Sequence, residues 1–146
     1  MLEGGIYAWA VPLGRTTVGF VVGAFLGMMG GWFARIFNAM VGYSWAPDFH
    51  ANIFLLGIGV GAGLGAYIAW VNLSLRWYFI AGSVLLVLLG GIAGAYIGSA
   101  YGQNIDPTIL GQRATVVNMT HWGAAIGAIA VSTAIGLFSE VRGEGR

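Results

Sequence analysis

Four stretches of about twenty residues, 16–35, 51–71, 77–100 and 119–139, hold no Asp, Glu, Lys or Arg in their interiors. A run of that length and character constrains a chain more than any other feature. Inside a bilayer every backbone amide must find its partner within the protein, which leaves only helices and closed barrels. A spanning helix needs about 20 apolar residues, whereas a barrel strand needs only about 10. The sequence therefore predicts an all-α integral membrane protein, a bundle of four transmembrane helices in a single domain, 1–146. Composition agrees: 58% of residues are hydrophobic and 8% charged, against roughly a quarter charged in soluble domains.

Aromatic residues mark the ends of the runs, as rings that settle at headgroup level do. This reading sets Trp9, Trp70 and Trp77 at one interface and Trp32, Trp45 and Trp122 at the other. Arg15, Arg76, Arg142 and Arg146 share the side of the termini, and Arg35 and Arg113 lie opposite. The excess of positive charge then puts both termini in the cytoplasm. Residues 1–17 carry Arg15 beside an apolar run with no small-residue cleavage site, which reads as the start of an uncleaved helix. With no presequence expected, the membrane is expected to be a bacterial inner membrane. A net charge of +1 offers no basic face for nucleic acid. The chain has no cysteine, so disulfides and thiolate metal sites are excluded.

Glycine is unusually regular. Gly19, Gly23, Gly27 and Gly31 recur every fourth residue in the first span, as do Gly90, Gly94, Gly98 and Gly102 in and beyond the third. The two sets are offset by 71 residues, and the same offset carries His50 to His121. Two tandem helical hairpins, 1–71 and 72–146, are expected, related by a pseudo-twofold axis along the membrane normal as in parallel-repeat membrane proteins. The second span adds Gly57, Gly61 and Gly65, with Gly59 and Gly63 on a neighbouring line; the fourth has Ala124, Ala128, Ser132 and Gly136. Burial does not drive helices together in lipid, but close backbone approach does, and glycine permits it. The GxxxGxxxG runs resemble those of glycine-zipper membrane proteins, which implies zipper packing. The flat faces exceed what four helices need for one another, which suggests docking to other transmembrane subunits or to copies of itself.

His50 and His121 open the second and fourth spans, on the side away from the termini, near Arg35, Asn38, Asp48, Asn52, Asp106, Arg113, Asn118 and Thr120. Loops over 36–49 and 103–118 are expected to carry these polar groups. Under the repeat the two imidazoles would lie at equal depth and could hold a haem, a pigment or a quinone headgroup. The simpler reading makes them interfacial residues near helix starts, with Asp48 and Thr120 as N-caps. The sequence has no HxxxH, HExxH or paired-carboxylate pattern, and no catalytic or metal-ligating set is assigned.

Coupled transport uses an ionisable group at membrane depth, and the span interiors offer only Ser83, Ser99, Ser132 and Thr133. The leading expectation is a non-enzymatic accessory subunit of a larger membrane complex, energy-transducing (respiratory or photosynthetic), acting through its lateral surfaces and contacting membrane lipids. A haem-, pigment- or quinone-binding subunit and a small oligomeric channel or transporter are the alternatives.

Overall fold

A computed structural model describes residues 3–42, 47–71 and 75–143. They form four α-helices: α1 (Glu3–Val41), α2 (Pro47–Ile68), α3 (Trp77–Asn104) and α4 (Gln112–Gly143). All four are long and apolar enough to cross a membrane, over Trp9–Val41, Pro47–Ile68, Trp77–Asn104 and Gln112–Ser139. The chain is thus compatible with an integral membrane protein, and its apolar outer surface suits lipid.

The helices outrun the expected spans, and the expected loops shrink accordingly. Residues 36–41 continue α1, and most of 103–118 belongs to α3 or α4. At 39 residues and about 1.5 Å per residue, α1 is roughly 58 Å long, well beyond a hydrocarbon core of about 30 Å. Length cues in the sequence find only the part that lipid requires; the backbone continues as helix until a breaker stops it. Gly42, with φ of +80°, follows α1 directly and supplies the left-handed residue that closes a helix.

The connection from α3 to α4 is stitched by Thr115, which is fully buried. Its hydroxyl donates to the Gly111 carbonyl at 3.1 Å and accepts from the Thr108 amide at 2.8 Å. Gln112 Nε2 donates to the Gly102 carbonyl at 2.8 Å, satisfying an acceptor in the last turn of α3.

Sequential helices pack as hairpins, α1 with α2 and α3 with α4; α2 and α4 each touch all the other helices, and α1 and α3 do not meet. The cross-section is a diamond with α2 and α4 on its short diagonal. Ile58, Ala62, Ala66, Trp70, Val87, Ala95, Ala124, Ala128 and Ile129 form its core. Ala124, Ala128, Ser132 and Gly136, the small-residue line expected on the fourth span, are all buried.

The glycines explain how close the helices come. A Cβ at Gly57 would stand 2.6 Å from the Gly30 carbonyl oxygen, and one at Gly65 would stand 2.6 Å from the Gly23 Cα. Cβ atoms at Gly94 and Gly98 would collide with the carbonyls of Gly123 and Met119. Gly59 and Gly63 face α3 instead, with Ile92 Cα at 2.5 Å and Leu88 Cα at 2.9 Å from their would-be Cβ atoms. Both flat faces of α2 are therefore occupied within the chain. α2 has two neighbours that approach its backbone, and its two lines of glycine serve one each.

Trp70 is also corrected. It is 5% exposed, lies against Gly136 and carries the Arg15 guanidinium 5.7 Å from its ring centroid. It is a core residue because Gly136 leaves a hollow that an indole fills. Trp9 and Trp77 remain exposed towards the terminal end, and Trp32 and Trp122 towards the other. Trp45 lies outside the described residues.

Candidate functional site

Packing between the hairpins is unequal. On one seam α2 offers Gly59 and Gly63, and α3 comes into backbone contact. On the other seam α4 faces α1. Side chains fix the relative level of α2 and α4: Ser132 Oγ donates to the Ala66 carbonyl at 3.0 Å, Trp70 covers Gly136, and the Phe54 and His121 rings meet edge-on at 6.4 Å between centroids. These pairs set α4 level with α2 at an offset of 66 or 67 residues. The positions level with Gly59 and Gly63 are Ala125 and Ile129, and the Ile129 Cδ1, 2.7 Å from where a Cβ on Gly19 would stand, keeps α1 off.

That separation opens a groove of about 460 Å³, lined by Ala24, Met28, Gly31, Trp32 and Arg35 of α1, Phe54 of α2, and Val117, Asn118, His121 and Trp122 of α4. Phe20 and Trp122 stack with centroids 5.7 Å apart. The Arg35 guanidinium sits 5.0 Å from the Phe54 ring centroid, a cation–π contact. Phe54 thus touches the guanidinium and the imidazole, bringing Arg35 and His121 to one place.

His121 Nδ1 lies 2.8 Å from the Val117 carbonyl oxygen. A carbonyl can only accept, so Nδ1 carries the proton, and Nε2 is the nitrogen left for a ligand. Thr120 also bonds back, to the Val116 carbonyl at 2.7 Å, inside α4. It is not an N-cap, because α4 starts eight residues earlier, at Gln112. Asp48 stands in the first turn of α2, behind Pro47.

His50 is elsewhere. Its carbonyl accepts from Asn38 Nδ2 at 3.0 Å, and its ring meets Phe49 edge-on at 5.9 Å. By the α2–α4 register, His121 is level with residues 54–55. His50 is four to five residues nearer the loop end, about 6–7.5 Å along the axis. The equal depth expected from the 71-residue offset does not hold, since the packed helices are set by Trp70, Ser132 and Phe54 at 66–67.

Of the glycines singled out from sequence, Gly19, Gly23, Gly27, Gly31, Gly61, Gly65, Gly94, Gly98 and Gly102 are buried, and Gly57 and Gly90 half-buried. All stand at helix–helix approaches. Sequence reasoning set Arg35 near His121 at one end of the bundle and missed Phe54, the ring that lies against both.

Among the described residues no group of three or more His, Cys, Asp or Glu is placed to hold a metal ion. Two of the span-interior hydroxyls bond within the bundle: Thr133 with Thr16 at 3.1 Å, and Ser132 with the Ala66 carbonyl. A second groove, about 550 Å³ and lined only by apolar residues and glycines, runs between α1 and α2 along Gly30, Ala34, Gly57 and Gly61, walled by Phe33, Phe37, Leu56 and Leu64. Comparison with known proteins finds no family model, curated protein or solved structure that matches the chain.

Proposed function

We propose that the chain is a non-enzymatic accessory subunit of a larger membrane complex, of the energy-transducing kind, that acts through lateral helix packing. The observation that carries this is the groove between α1 and α2. Its floor is made of the small residues Gly30, Ala34, Gly57 and Gly61, with Gly30 and Gly57 half-buried, and it lies between bulky walls. In lipid, close approach over small residues is what holds helices together, so the groove suits a ridge of a partner helix. Support also comes from the filled centre of the bundle, where Ile58, Val87, Ala95, Ala124 and Ala128 are fully buried and form, among the described residues, an apolar core.

In this reading the two hairpins, 1–71 and 72–146, are pseudo-twofold mates with glycine-zipper packing. Matching close approaches support it: Gly57 on Gly30 and Gly123 on Gly94, then Gly61 on Leu26 and Gly127 on Gly90. Those pairs relate the hairpins by offsets of 64 and 66 residues in place of 71. The membrane in this reading is a bacterial inner membrane, and the arginine distribution favours cytoplasmic termini.

The test is Leu56→Trp with Leu64→Trp, which narrows the groove from its outer wall and leaves the internal glycine contacts alone. Native electrophoresis of gently solubilised membranes is expected to show wild type in a larger assembly and the double variant released from it. Wild type migrating alone, or an unchanged assembly with the double variant, refutes the reading.

A further inference from the structure

Independently of that role, we propose that the groove between α1 and α4 binds one anionic phospholipid. Arg35 holds the phosphate beside Asn118 and His121, and an acyl chain lies along Met28 and Ala24. Three observations converge on this occupant.

The first is charge. Among the described residues Arg35 has no carboxylate partner, and its guanidinium rests on Phe54, 5.0 Å from the ring centroid. A planar fork of donors with a permanent charge, weakly hydrated and braced on an aromatic ring, is matched to phosphate oxygens. The second is polar company. Asn118 lines the same groove with a side-chain amide, and His121 has Nδ1 engaged by Val117, so its other ring nitrogen is the one available there. The third is depth. Arg35 and Asn118 share the groove with Trp32 and Trp122, the residue type that marks headgroup level. From Arg35 the lining runs along α1 to Ala24, eleven residues or about 16 Å, roughly half the hydrocarbon thickness. That is one leaflet, the reach of one acyl chain.

A site with a cation at the headgroup plane and an apolar trough of one-leaflet length fits a phospholipid better than a free anion, which has no use for the trough. An isoprenoid quinone could fill the trough, but a neutral carbonyl does not answer an uncompensated guanidinium.

The experiment is native mass spectrometry of the delipidated, detergent-solubilised full chain after titration with dioleoyl phosphatidylglycerol, dioleoyl phosphatidylcholine or ubiquinone. Trp32 and Trp122 give a parallel fluorescence readout, and circular dichroism checks helicity. Wild type is expected to retain one phosphatidylglycerol per chain, with at least about tenfold preference over phosphatidylcholine. Arg35→Gln is expected to lose that preference. Met28→Trp, which obstructs the trough and keeps the cation, is expected to weaken retention. Arg113→Gln, a charge change at the same end but outside the groove, is expected to change nothing. Equal retention of both lipids, an unaffected Arg35→Gln variant, or displacement of phosphatidylglycerol by equimolar ubiquinone each overturns the proposal. Should Arg35→Gln lose helicity, Met28→Trp decides it: phosphatidylglycerol retention equal to wild type in that variant refutes the site.

Discussion

Replacing Gly65 with alanine tests the close approach of α1 and α2 with a single methyl group. A Cβ there would stand 2.6 Å from Gly23 Cα, 2.6 Å from the Val22 carbonyl oxygen and 2.7 Å from Gly23 N. All three are backbone atoms, so no side-chain rotation relieves the overlap. Restoring an ordinary contact of 3.4 Å requires α1 to move out by roughly 0.8 Å, enough to forfeit a quarter to a half of the dispersion well at each neighbouring contact. Overpacking of this kind costs about 1–3 kcal/mol. Alanine also favours the helix by up to about 1 kcal/mol over glycine, which masks part of the loss. Gly82→Ala supplies the control. Gly82 lies within α3 with nothing inside 4 Å of its would-be Cβ, so its variant carries the helix-propensity gain alone. The difference in unfolding free energy between the two variants is therefore expected at about 1–3 kcal/mol, with Gly65→Ala the weaker. Unfolding of detergent-solubilised protein by dodecyl sulfate, followed by far-ultraviolet circular dichroism, measures it. A Gly65→Ala variant as stable as Gly82→Ala would show that the helices do not meet at this position.

Thr133→Val removes the partner of the Thr16 hydroxyl, 3.1 Å away, and is expected to cost about 0.5–1.5 kcal/mol. Adding Thr16→Val should recover part of that in the same assay, since no hydroxyl is then left alone. Gly42→Ala meets no atom within 4 Å but must hold φ near +80°, so it is expected to destabilise by about 1–2 kcal/mol. Gly14→Ala, equally free of neighbours inside α1, should be neutral or better.

Membrane character was legible because hydropathy acts over twenty residues at once. The four spans, their order and the burial of the glycine columns follow from spacing alone. Register was not legible, and the reason is physical. Glycines repeated every fourth residue match one another at many offsets, so the 71-residue correspondence aligned His50 with His121 as readily as any other pairing would. What sets the level is shape at a few points. Trp70 needs the hollow at Gly136, and Ser132 needs the Ala66 carbonyl. Neither requirement shows in a hydropathy pattern. Trp70 was assigned to the interface for the same reason: its position in the chain is terminal to a span, but Gly136 on another helix draws it inward. Helix ends were equally hidden: Arg35 closes the uncharged run and so set the expected end of the first span, yet residues 36–41 are apolar apart from Asn38 and nothing breaks the helix before Gly42.

The placement of the α1–α4 groove follows from a small difference between two seams that topology makes alike. Where α2 meets α3, Gly59 and Gly63 let Ile92 and Leu88 bring their backbone into contact. At the corresponding level α4 carries Ala125 and Ile129, and the Ile129 side chain reaches towards Gly19, with its Cδ1 2.7 Å from the would-be Cβ there. The branched Ile129 side chain props that seam one turn from the Thr16–Thr133 bond that ties it at the terminal end. Further towards the loop end the gap opens, where Arg35, Asn118 and His121 stand. Polar side chains at a helix end commonly reach water on their own; here the wider seam gives them a shared trough. A uniform line of glycine on α4 would have closed it and left Arg35 outside.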